Sequence, residues 1–144
     1  MRTMVKIRLM LAVLMVGALL TGVGEAGVVK EVNFAQGSNS TLIAGSVIRG
    51  ESDQYFLTAK AGQKMEVSIT ALEKNAAFAI YQPGYKAGKD QDGILEIKGA
   101  TLQGAGEGED ATAWKGVLPS SGKYLILVGP TRGNATYKLK ITLR

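Results

Sequence analysis

The chain has 144 residues, neither cysteine nor histidine, and a formal net charge of +5. The two absences exclude disulfide stapling, serine–histidine and cysteine–histidine relays and nearly all zinc sites, which leaves carboxylates as the only catalytic groups. No block of Lys or Arg with interleaved aromatics appears, so nucleic-acid binding has no support.

Residues 1–26 read as a secretory signal peptide. Arg2, Lys6 and Arg8 precede an uninterrupted apolar run from Leu9 to Leu20, and Gly24-Glu25-Ala26 supplies a small-residue cleavage site before Gly27. The apolar run falls short of the roughly 20 residues that span a bilayer core, so stable membrane insertion is not expected. No cysteine follows it to carry a lipid. The expected product is periplasmic or secreted: a single domain, 27–144, of 118 residues, large enough for one core. It carries 14 Lys plus Arg against 11 Asp plus Glu, and its net charge of +3 draws it weakly toward anionic surfaces, acidic clefts included.

Period-two alternation recurs along this domain and helical spacing does not. Strand signals run over Val28 to Phe34, Leu42 to Ile48, and Tyr55 to Ala59. Lys64 to Ala71 sets Met65, Val67 and Ile69 against Lys64, Glu66, Ser68 and Thr70, the pattern of a half-buried strand. Ala77 to Tyr81 and Ile94 to Lys98 continue the series, and Tyr137, Leu139, Ile141 and Leu143 oppose Thr136, Lys138, Lys140 and Thr142. Tyr124 to Val128 is apolar on both faces, which predicts a central strand or one covered on both sides. Gly-, Pro-, Asn- and Ser-rich turns separate these segments. About seven to nine short strands at this spacing predict an all-β, antiparallel two-sheet β-sandwich or jelly roll. The glycine-rich stretch from Gly99 to Asp110 predicts a long mobile loop.

The carboxylates do not assemble a recognisable reaction centre. Asp90-Gln91-Asp92-Gly93 begins like a calcium loop, but its glycine comes two positions early and Thr101 stands where the closing Glu belongs. Glu107, Glu109 and Asp110 read as a solvated acidic loop, with calcium as the competing reading. Gly104-Ala105-Gly106-Glu107-Gly108 lacks the Lys and helix of a phosphate loop. Asn39-Ser40-Thr41 and Asn134-Ala135-Thr136 fit the glycosylation triplet. A glycan hydrolase would need two carboxylates fixed across a cleft, whereas the acidic residues here fall in turns or on polar strand faces. The expectation is a protein without enzymatic activity, cofactor or metal.

Two constellations remain as binding candidates. Trp114, Tyr81 and Tyr85 offer flat rings on which a sugar face can stack, pointing to peptidoglycan or polysaccharide, while core packing is the competing reading. The second is Leu118-Pro119-Ser120-Ser121-Gly122-Lys123-Tyr124, a polar turn that feeds a strand.

Gly45-Ser46-Val47-Ile48-Arg49-Gly50, Asp53-Gln54-Tyr55, Ala59-Lys60-Ala61-Gly62-Gln63-Lys64, Leu118 to Tyr124 and Tyr137-Lys138-Leu139 occur in one order. This series resembles the periplasmic inhibitors of goose-type (g-type) lysozyme over most of the chain from Gly45 onward. The resemblance implies a β-sandwich whose Ser121-Gly122-Lys123-Tyr124 loop enters the active-site cleft of a g-type lysozyme. Arg132 is implied in a basic loop beside it. The same skeleton also resembles bacterial pre-peptidase C-terminal domains, sandwiches linked with carbohydrate or matrix binding. The stretch from Gly84 to Asp110 is longer and richer in glycine than the inhibitor family implies.

Overall fold

The protein is described here by a computed structural model covering residues 27–144; the signal-peptide reading falls on residues outside that range. The strands in chain order are β1 (Val29–Glu31), β2 (Ser40–Val47), β3 (Asp53–Ala59), β4 (Lys64–Ala71), β5 (Ala76–Tyr81), β6 (Lys86–Lys89), β7 (Leu95–Lys98), β8 (Ala113–Val117), β9 (Gly122–Pro130) and β10 (Ala135–Leu143). Two four-stranded sheets, ordered β1-β3-β9-β5 and β2-β10-β4-β8, stack as a sandwich, and β6 and β7 form a separate hairpin. The all-β class and the two-layer architecture are those the alternation predicts. Among the described residues no helix is long and apolar enough to cross a membrane.

Alternation decides which side chains face inward. Tyr55, Leu57 and Ala59 of β3, Met65, Val67 and Ile69 of β4, and Tyr137, Leu139 and Ile141 of β10 are all buried between the layers. Their polar neighbours turn to the outer faces, where Thr58, Thr70, Lys138 and Lys140 are exposed. Each large aliphatic side chain removed from water this way contributes about 1.5–3 kcal/mol, and without disulfides this burial is what holds the layers together.

β9 is both central in its sheet and covered on both faces. Tyr124, Ile126 and Val128 face the inter-sheet core. On the outer face Leu125 packs with Ala79 and Tyr81 under a partial lid formed by Tyr85 and Ile97. The β6–β7 hairpin therefore has a packing role, which explains why the strand is apolar on alternate as well as successive positions.

Two details depart from the sequence reading. β1 pairs with β3 in parallel, Val29 opposite Gln54, within otherwise antiparallel sheets. The chain passes from β1 into the other sheet as β2 before returning as β3, so β2 serves as the crossover that a parallel pair requires. The stretch Gly99 to Asp110 is not a free loop. Ile80 exchanges backbone bonds with it, donating to the Ala105 carbonyl and accepting from the Leu102 N–H, each at 2.9 Å. Phe78 donates to Ala111 at 2.9 Å, and Leu102 and Ala105 are buried. Glycine permits the tight turns that lay this segment along the β5 edge, where it occupies groups that would otherwise form an open sheet edge.

A polar relay crosses the core. Tyr55 and Tyr137 hydroxyls lie 2.6 Å apart, Tyr137 donates to Asp53 Oδ2 at 2.5 Å, and the Val28 N–H donates to Asp53 Oδ1 at 3.0 Å. Burial, with the Asp53 bond, holds the Tyr137 phenol far above its ordinary range, and burial also raises Tyr55. Gly45 makes room for the relay, since a Cβ there would sit 2.5 Å from the Tyr137 hydroxyl.

Candidate functional site

The Ser121 turn is built at the junction of three connections. Leu118, at the end of β8, is buried and fixed by reciprocal backbone bonds to the β3–β4 turn: its N–H reaches Gln63 O and its carbonyl receives Gly62 N–H, both at 2.8 Å. The β3–β4 turn is closed in its own right, with Lys60 N–H donating to Gln63 Oε1 at 2.7 Å and Gln63 N–H to Lys60 O at 3.1 Å. Pro119 and the two serines then reverse the chain into β9.

Tyr124 anchors the turn from beneath. Its ring is fully buried, and its hydroxyl donates to the Ser120 carbonyl at 2.7 Å while accepting from Ser120 N–H at 3.3 Å. Ser121 is exposed, and its Oγ accepts from Ala61 N–H at 2.9 Å. A serine hydroxyl that accepts one bond keeps its proton for a donor role elsewhere. Gly122 takes φ +142°, a region that favours glycine, and a Cβ there would lie 2.7 Å from that of Pro83. Lys123 is exposed, its ammonium 5.0 Å from the centroid of the Phe56 ring, a contact worth about 0.5–1 kcal/mol at the surface.

Four of the five residues expected in the lysozyme-binding loop are thus contiguous at one end of the sandwich, and they divide by exposure. Ser121, Gly122 and Lys123 reach the surface; Tyr124 supports them from inside. Arg132 is elsewhere. It follows the far end of β9, a nine-residue strand spanning about 30 Å, so it cannot stand beside the Ser121 turn as the resemblance implied. Its guanidinium bonds the Glu73 carbonyl, and Asn75 Nδ2 donates to the carbonyls of Arg132 and Asn134 at 3.1 and 2.8 Å. Eleven positions of sequence separation look close, but an extended strand makes them distant.

The aromatic candidates do not form a stacking platform. Tyr81 is buried, its hydroxyl donating to Glu107 Oε2 at 3.3 Å, and burial followed by the nearby carboxylate raises its phenol. Tyr85 is half-buried on the outer face of the β9 sheet. Trp114 belongs to the other sheet, packs against the main core, covers Gly116, and donates from Nε1 to Gln103 O at 2.9 Å. The acidic loops are likewise occupied: Asp90 Oδ1 caps Asp92 and Ile94 N–H at 2.8 and 2.9 Å, and Glu109 accepts from Gly106 N–H at 2.5 Å. Among the described residues no group of three or more Asp or Glu is placed to hold a metal ion.

The neighbours that fix the turn leave no signal in the local sequence. Ala61-Gly62-Gln63 was legible as a turn, yet nothing local shows that its amide reaches Ser121. Pro83 stands beside Gly122 only because β5 and β9 are paired, with Tyr81 opposite Leu125.

No protein-family model matches the chain, and comparison with curated proteins gives no match. Solved structures do match. The chain is 31% identical to the crystal structure of Aeromonas hydrophila PliG, a periplasmic lysozyme inhibitor of g-type lysozyme, with a TM-score of 0.60 over 83% of this chain and all of that one. A mutant of the Escherichia coli PliG is 25% identical, with a TM-score of 0.58 over 83% of this chain and 100% of the other. Salmonella Typhimurium PliG is 25% identical, with a TM-score of 0.55 over 81% and 98%. All three are inhibitor proteins, not enzymes. Shared fold at full coverage, together with nearly one residue in three identical to the first, shows that the chain belongs to the family of periplasmic inhibitors of g-type lysozyme.

Proposed function

We propose that this chain is exported and inhibits a g-type lysozyme by occluding its active-site cleft with the Ser121 turn. The observation that carries the reading is the condition of the turn: exposed at Ser121, yet held by Tyr124 from below and by the Ala61 amide from the side. A loop ordered before binding loses little entropy on binding, which is how a small tip gains affinity.

The chemistry fits a cleft that holds catalytic carboxylates. The Ser121 hydroxyl has a proton to donate, and Lys123 adds a cation beside it. Bonds of this kind to a carboxylate are charge-assisted and roughly twice as strong as neutral ones. A stable complex needs about 800 Å² from each partner, more than one turn supplies. The Lys60–Gln63 turn and the Pro83–Tyr85 connection adjoin Ser121 and extend the surface; Arg132 does not take part in it.

The test is lysis of peptidoglycan-exposed cells by a g-type lysozyme in the presence of the purified chain. Lysis should fall in proportion to added protein and cease near one equivalent. Undiminished lysis at large excess would remove the inhibitor reading.

A further inference from the structure

The sandwich gathers lysines at its Ser121 end. Lys60 and Lys64 bound the β3–β4 turn, Lys123 follows Gly122, and Lys86 and Lys98 stand opposite each other at the base of the β6–β7 hairpin. That base adjoins the Ser121 turn, because Pro83, three residues before Lys86, is packed at Gly122. All five lysines are exposed. Among the described residues Lys60, Lys64, Lys86 and Lys123 are in no ion pair, and Lys98 has Glu96 at 3.7 Å. Glu66, on β4, is engaged by Arg144 at 2.9 Å and Lys115 at 4.0 Å.

The opposite end carries both signs, with Arg49, Lys74 and Arg132 standing among the acidic residues. Glu51 lies against Gly129, the Glu73 carbonyl receives Arg132, and Glu107 and Asp110 line a shallow cleft with Pro130 and Thr131. Lysines with few acidic neighbours are thus gathered around Ser121, whereas the far end mixes cations and carboxylates. A second observation is independent of this gathering. Lys86 and Lys98 are direct cross-strand partners, and like charges in that position oppose the hairpin that carries them. An anionic surface placed over the pair removes that repulsion.

We infer that the Ser121 end is a cationic docking face that steers and orients the chain onto a groove rich in carboxylates. The inference rests on the proposed inhibition and names what brings the turn to the cleft. Long-range fields of this kind act chiefly on the association rate and are screened by salt.

Association with a g-type lysozyme, followed by stopped flow at ionic strengths from about 0.01 to 0.3 M, tests it. A Lys60→Glu/Lys86→Glu double variant should associate about tenfold more slowly at low salt, with dissociation little changed and the deficit fading as salt rises. An Arg49→Glu/Lys74→Glu variant makes the same change in net charge at the far end and should stay within about twofold of the parent. Lys86→Glu alone should leave the melting temperature unchanged or raised. Equal slowing by both pairs, or slowing by neither, overturns the docking face. Retention of each variant on immobilised poly-L-glutamate separates the two readings. If the parent forms no lysozyme complex but retention still drops only for the Lys60/Lys86 pair, the inhibitor reading fails and the docking face stands. If retention drops equally for both pairs, the docking face fails.

Discussion

Replacing Asp53 with alanine is expected to lower the stability of the domain by about 3 kcal/mol. The carboxyl is buried between the layers and accepts from both the Tyr137 hydroxyl and the Val28 amide. Alanine removes both acceptors and strands the buried Tyr137 hydroxyl, and a buried group stranded in this way costs about 1–3 kcal/mol. The damage should extend beyond the relay, because the Val28 bond ties the start of the described chain to β3. Asp53→Asn, which keeps an acceptor in place, should lose roughly half as much. Urea denaturation followed by tryptophan fluorescence measures both, with Trp114 as the single reporter. A loss below about 1 kcal/mol for the alanine variant would show that the relay contributes little.

Gly122→Ala should weaken lysozyme inhibition about tenfold or more while the domain still folds. Position 122 has φ +142°, where a side chain costs on the order of 1–3 kcal/mol, and a Cβ would meet Pro83 at 2.7 Å. The clash is relieved by a shift of the turn away from Pro83. That motion carries Ser121 off the Ala61 amide. Gly50→Ala is the matched control: it too has positive φ, at +85°, but a Cβ there meets nothing within 4 Å, and it lies in the β2–β3 turn at the other end. It should cost stability of order 1 kcal/mol and leave inhibition intact. Inhibition constants compared below the melting temperature of each variant decide the matter. Full inhibition by a folded Gly122→Ala protein would dissociate the geometry of this turn from the activity.

Much of the fold was legible because burial between two layers imposes a period of two. Lys64 to Ala71 and Thr136 to Leu143 show that period without interruption, and their inward rows are the ones buried. Tyr124 to Val128 was legible for the opposite reason, its apolar residues on both faces matching a strand covered twice. What stayed hidden depended on contacts between distant segments. β6, Lys86–Lys89, has no apolar alternation, because it is exposed throughout and is held by its pairing with β7. Gly99 to Asp110 reads as a mobile loop by composition, yet its backbone finds partners on β5 that no local pattern announces. The parallel register of β1 follows from where the chain crosses between sheets, a property of topology alone.

The candidate site divides along the same line. The Ser-Gly-Lys-Tyr run was visible as a turn entering a strand, and turn chemistry explains Gly122. That Tyr124 is an internal support follows from the alternation of β9, in which Tyr124, Ile126 and Val128 share the inward face. Arg132 was misplaced because the resemblance supplied proximity where the strand between the two loops supplies distance. The basic flank of the Ser121 turn comes instead from Lys60 and from the hairpin, whose position relative to β9 only the folded chain reveals.

Amide hydrogen exchange of the domain alone and with a saturating g-type lysozyme tests occlusion by the Ser121 turn most directly. Slowed exchange is expected at Ala61 to Gln63 and at Ser121 to Lys123, with the amides of Thr131 to Asn134 unaffected. Protection confined to the Arg132 end, or no protection at either, would contradict it.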